Sequence, residues 1–119
     1  MPVLEGTNAK VRSIGVKLTS TNQTTIYTCP SNYTGVIKLI HVGNIAGSNA
    51  DITLEWTDSS ASATYKITNT TTVNTKLYLQ LSEGFFIFNA GDTLKATASS
   101  ADALDVIVSV EELFTPGVT

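Results

Sequence analysis

Asp51-Ile52-Thr53-Leu54-Glu55-Trp56-Thr57 is the stretch on which the fold turns. Ile52, Leu54 and Trp56 fall on one side of an extended chain, and Asp51, Thr53 and Glu55 on the other. That period-two pattern belongs to a half-buried strand. Asp105 to Glu111 repeats it, with Val106, Val108 and Val110 inward and Asp105, Ser109 and Glu111 outward. Shorter alternations run through Val16 and Leu18, Ile26 and Thr28, Tyr65 and Ile67, Leu77 to Leu81, and Leu94 to Ala98. Val36 to Val42 is almost continuously apolar, which predicts a central strand covered on both faces. No window carries a helical period, and only Ala101 to Ala103 and Val110 to Phe114 leave room for a helical turn.

Turn chemistry breaks these runs at Thr21-Asn22, Pro30-Ser31-Asn32, Asn44 to Asn49, Asp58 to Ala63, Asn69 to Thr71, Ser82 to Gly84, Asn89 to Asp92 and Ser99 to Asp102. The spacing predicts an all-β chain: a single antiparallel β-sandwich of jelly-roll or related Greek-key order, with about eight or nine short strands. Its core is expected to hold Ile40, Val42, Ile52, Leu54, Trp56, Leu94, Val106 and Val108. The glycines at 35, 43, 47, 84 and 91 read as punctuation between strands, with Gly91 the one that needs a positive φ. Thr57 to Ala63 and Thr97 to Ala103 share the pattern T-x-S-S-A-x-A, which predicts two similar hairpin loops.

Composition narrows the function. The 119 residues are 42% hydrophobic and only 14% charged, against about 25% charged in an average domain. Disorder requires the opposite balance, so this is one folded domain with an uncharged polar skin. The net charge is -3 and the seven basic residues are scattered, so no nucleic-acid partner is expected. Lys10, Arg12 and Lys17 read as the solvated face of a first strand. Met1 to Gly15 has no apolar signal-peptide core, and no stretch reaches the roughly 18 apolar residues of a membrane span. Neither secretion nor a membrane is expected.

Catalytic, cofactor-binding and metal-ligating residues are all expected to be none. Cys29 is the single cysteine and lacks a neighbouring base, so it reads as an inert thiol. His41, the single histidine, lies in an apolar run and reads as a satisfied, at least half-buried side chain. Carboxylates fall at strand edges and turns, and Asp102 with Asp105 lacks the D-x-D-x-D-G form of a calcium loop. No phosphate-binding or nucleophile-elbow motif occurs, so the chain is read as a non-enzyme.

Binding is the remaining activity. Tyr27, Tyr33, Trp56, Tyr65, Tyr78 and Phe85 to Phe88 are candidates for a carbohydrate platform, but Trp56 shares the inward phase of Ile52 and Leu54. Phe85 to Phe88 places aromatic rings on both faces of one strand, so one face needs a cover. Residues 1–9 read as an N-terminal arm, 10–114 as the sandwich and 115–119 as a C-terminal tail. Val3, Leu4, Tyr33, Tyr78, Phe86 and Phe114 are the candidate partner contacts.

Taken in order, Tyr27 to Pro30, Val36 to Asn44, Asp51 to Trp56, Asn89 to Ala98 and Leu104 to Glu112 resemble a known family. The chain is similar, over about residues 24 to 113, to the small β-sandwich virion proteins of tailed bacteriophages, in which an AGD-x-L turn leads into the last hairpin. The resemblance implies a structural protein of the virion, made in the host cytoplasm and without catalytic residues. The pattern is shared by head decoration, neck and tail-fibre proteins; the first expectation is a capsid cement or decoration protein contacting the major capsid protein, assembled as the trimer the resemblance implies. A neck, tail or fibre component is the alternative, and a carbohydrate-binding module is the rival from another class.

Overall fold

The computed structural model describes residues 9–84 and 86–116, so Val3, Leu4 and Phe85 lie outside the described residues. Nine strands follow one another: β1 (Ala9–Leu18), β2 (Thr24–Thr28), β3 (Tyr33–Asn44), β4 (Ala50–Asp58), β5 (Ala63–Val73), β6 (Tyr78–Leu81), β7 (Phe86–Phe88), β8 (Thr93–Ala98) and β9 (Leu104–Phe114). No helix occurs among the described residues, so none is present to cross a membrane. Val110 to Phe114, expected to allow a helical turn, is strand. Its backbone pairs on two sides, Leu113 lying opposite both Ala9 and Thr34.

The topology is that of one long hairpin, rolled up. β1 pairs with β9, β2 with β8, β3 with β6 and β7, and β4 with β5, all antiparallel. Ladders β3–β9 and β4–β8 then close the roll into two sheets, β1-β9-β3-β6 (with β7 also on β3) and β2-β8-β4-β5. This is a jelly-roll sandwich in which one strand is divided into β6 and β7.

The predicted core forms between the sheets. Ile40, Val42, Ile52, Leu54, Leu94, Val106 and Val108 are all buried. Trp56 differs: it is half-buried against the core, its ring 6.1 Å from Phe88 and stacked at 5.4 Å on Tyr65. β3 is central, as expected, but only its inner face is covered by this chain. A bulge at Lys38 resets its phase, so that Ile37 and then Ile40 and Val42 point inward, while Val36 and Leu39 remain half-buried outside. Two layers leave no third to cover them.

Gly35 and Gly43 lie within β3 and are not punctuation. A Cβ at Gly35 would stand 2.8 Å from the Tyr27 hydroxyl, so the backbone there must pass unusually close to its neighbour. Gly91 has the expected positive φ of 89°. The repeated T-x-S-S-A-x-A segments share one backbone feature, a left-handed residue at the sixth position: Ser62 at φ 52° and Asp102 at φ 61°. Only the first is a hairpin. The second crosses from β8 in one sheet to β9 in the other.

Candidate protein-interaction surface

The two sheets present unlike faces to solvent. On the outside of β2-β8-β4-β5, Thr53 lies opposite Thr97 and Glu55 opposite both Lys95 and Lys66, a polar surface. The Lys66 ammonium sits 2.9 Å from the Glu55 carboxylate. The outside of the five-stranded sheet is apolar by comparison. Val11, Tyr78, Ile87, Ile107 and Leu113 are exposed there, around the half-buried Val36 and Leu39.

Polar residues on that apolar face are paired across strands. Lys17 meets Asp105 at 3.3 Å and Lys38 meets Glu111 at 3.2 Å. The Ser13 and Ser109 hydroxyls are 3.1 Å apart, and His41 Nδ1 lies 2.9 Å from Gln80 Oε1. Such exposed pairs add little stability, about 0–1 kcal/mol each. Their consequence is electrostatic, because the two ion pairs cancel within the face.

The candidate contacts fall in three places. Tyr33 and Phe114 meet where β3 begins and β9 ends, ring centres 5.4 Å apart, with the Lys10 ammonium 4.6 Å above the tyrosine ring. Tyr78 stands on the outer face and stacks on His41 at 5.0 Å. Phe86 lines a cleft of about 540 Å³ at the open edge of the sandwich, over Ile37, Ile40, Ile67 and Leu81. Of the rings expected on both faces of this segment, Phe86 and Phe88 supply one face, and Phe85, which has the opposite phase, lies outside the described residues. Phe86 and Phe88 share the inward phase, opposite Ile37 and Gly35, and Ile87 is the residue that faces out.

Two buried carboxylates escaped sequence reading. Glu112 is fully buried, yet it continues the inward phase of Val106, Val108 and Val110. Arg12 grips it with Nε and Nη2, each 3.1 Å from a carboxylate oxygen, and the Tyr27 hydroxyl donates to it at 2.7 Å. Arg12 and Lys10 therefore share a face that Lys17 does not, contrary to the single solvated face expected. Burial pushes the Glu112 pKa up, but hydrogen bonds from Arg12 and Tyr27 and the Arg12 charge outweigh it, leaving the group below its ordinary value. Burial and the bond to Glu112 drive the Tyr27 phenol far above its own, so it stays a donor. Asp92, also fully buried, accepts from Trp56 Nε1, the Ser59 N–H and hydroxyl, and the Asn89 N–H.

Neither carboxylate is poised for chemistry, because donors already occupy it. Cys29 is buried, and that burial pushes its thiol up, away from the reactive thiolate. Among the described residues, no three His, Cys, Asp or Glu side chains gather as a metal site.

No protein-family model matches the sequence, and no curated protein matches it significantly. Solved structures do show similar chains. One comes from the acidic stable capsid structure of Helicobacter pylori bacteriophage KHP30, with TM-score 0.53 and 13% identity over 93% of this chain and 90% of that one. Another comes from the extra small virus VLP of the giant freshwater prawn Macrobrachium rosenbergii, with TM-score 0.46 and 13% identity over 87% and 76%. A third is the CBM22-1 xylan-binding domain from Paenibacillus barcinonensis Xyn10C, with TM-score 0.38 and 16% identity over 92% and 83%. The likeness to the KHP30 capsid chain is one of fold, and it extends over nearly the whole of both chains.

Proposed function

We propose that this chain is a structural protein of a bacteriophage virion, acting by contact with other protein chains. More specifically, we read it as a cement or decoration protein that binds the major capsid protein and further copies of itself, in the trimer that the family resemblance implies. The apolar outer face of the five-stranded sheet carries this reading. A lone sandwich gains nothing by leaving Val11, Ile107 and Leu113 in water, and exposed apolar patches of this kind mark protein contacts. Jelly rolls are a recurrent frame for viral capsid domains, and the fold likeness to a phage capsid chain supports the same reading.

A carbohydrate-binding module needs rings presented together. Here they pair off on separate strand pairs: Trp56 with Tyr65, Tyr33 with Phe114, and Tyr78 with His41. Copy number in purified particles of the encoding virus, measured by quantitative mass spectrometry, tests the proposal. Hundreds of copies per particle are expected; about a dozen would move the chain to the neck or tail, and none would overturn the virion reading.

A further inference from the structure

Gly15 sits within β1, where glycine weakens a strand relative to alanine. Strand glycines are accounted for by a bulge, a tight bend, or the close approach of another group. The β1–β9 register is unbroken from Ala9 to Leu18, which excludes a bulge. Its φ lies outside the left-handed region, and a Cβ built on it meets nothing of this chain within 4 Å. The space over Gly15 is therefore open to another molecule. A shallow, open dent of about 260 Å³, lined by Gly15, Lys17, Asp105 and Ile107, lies in the outer face there, and Ile107 is 42% exposed.

We propose that this face pairs with the same face of a second copy, sheet against sheet about a two-fold axis. An isologous contact is self-complementary, and this surface carries Ile107 beside the Gly15 dent and Tyr78 projecting at the opposite edge of the sheet. It must also meet its own charges without repulsion. Lys17 with Asp105 and Lys38 with Glu111 make the face neutral, so the net charge of -3 lies elsewhere. Four strands about 4.8 Å apart, over a ladder about 27 Å long, span roughly 500 Å² per copy, hence about 1,000 Å² for two, the threshold a biological interface must reach and the size class of weak, reversible ones. The pairing extends the reading of the chain as an assembling protein, but it rests on this geometry alone.

Light scattering on the full chain, with Gly15→Lys and Ile107→Lys, tests it. The native chain is expected at an even multiple of 12.6 kDa, a hexamer where two of the proposed trimers pair face to face or a dimer where they do not form, and each variant at half the native mass with unchanged circular dichroism. Thr97→Lys, on the polar face of the other sheet, should leave the mass unaltered. A native monomer or trimer, or a mass that neither variant lowers, would overturn the pairing. Those outcomes leave copy number in particles untouched, so the pairing and the virion reading can fail independently.

Discussion

At Glu112, burial and ionisation oppose each other, and geometry decides the outcome. Three hydrogen bonds reach a carboxylate whose side chain is 1% exposed, while that of Arg12 is 48% exposed. The two partners are therefore unequal. Arg12→Ala strands a buried charge and should cost about 3–5 kcal/mol. Glu112→Gln frees an arginine that water can solvate and keeps an acceptor for Tyr27, so about 1–3 kcal/mol is expected. Urea unfolding of both variants checks the order, and a greater loss for Glu112→Gln would contradict it. The same pair sets an acid limit. Because the folded pKa of Glu112 lies below its unfolded value of about 4.3, its stabilisation is complete above that pH. It is lost as pH falls through the lowered folded pKa. Melting temperatures of Glu112→Gln should consequently fall less steeply below about pH 4 than those of the native chain.

At the scale of the strand, two glycines separate close packing from open surface. Gly35 lets β3 pass beneath Tyr27, and a methyl group there would meet the hydroxyl at 2.8 Å and the Cys29 sulfur at 3.5 Å. Gly35→Ala should push Tyr27 off Glu112 and cost about 1–3 kcal/mol. Gly15→Ala meets nothing in its own chain and should stabilise the isolated fold by about 0.5–1 kcal/mol. Chemical denaturation of the two variants gives the comparison. Equal effects would mean that β3 and Tyr27 do not approach each other so closely.

Over the whole molecule, the sandwich holds together through burial between its sheets and through ladders that join distant parts of the chain. Four of its carboxylates are held by partners within the fold, Asp105 by Lys17, Glu55 by Lys66, Glu112 by Arg12, and Asp92 by Trp56 and its neighbouring turn. Calcium should therefore leave the melting temperature unchanged, as should a chelator. A rise with calcium that the chelator reverses would reveal a site these pairings do not account for.

Alternation in Asp51–Thr57, Leu94–Ala98 and Asp105–Glu111, with the apolar run Val36–Val42, was enough to name the fold class and seven of the eight expected core residues, because strand period and side-chain polarity are local properties. The left-handed turn shared by Ser62 and Asp102 was local too, and the T-x-S-S-A-x-A echo recorded it. Which sheet each flanking strand joined was not, since that depends on ladders such as β3–β9, between parts of the chain far apart in sequence. Glu112 shows the same division. Its inward phase was legible, but its charge argued for solvent until Arg12, 100 residues away, and Tyr27 supplied the donors that make burial tolerable. The apolar outer face likewise emerged only when β1, β9, β3, β6 and β7 lay side by side, because adjacency across a sheet is a property of topology.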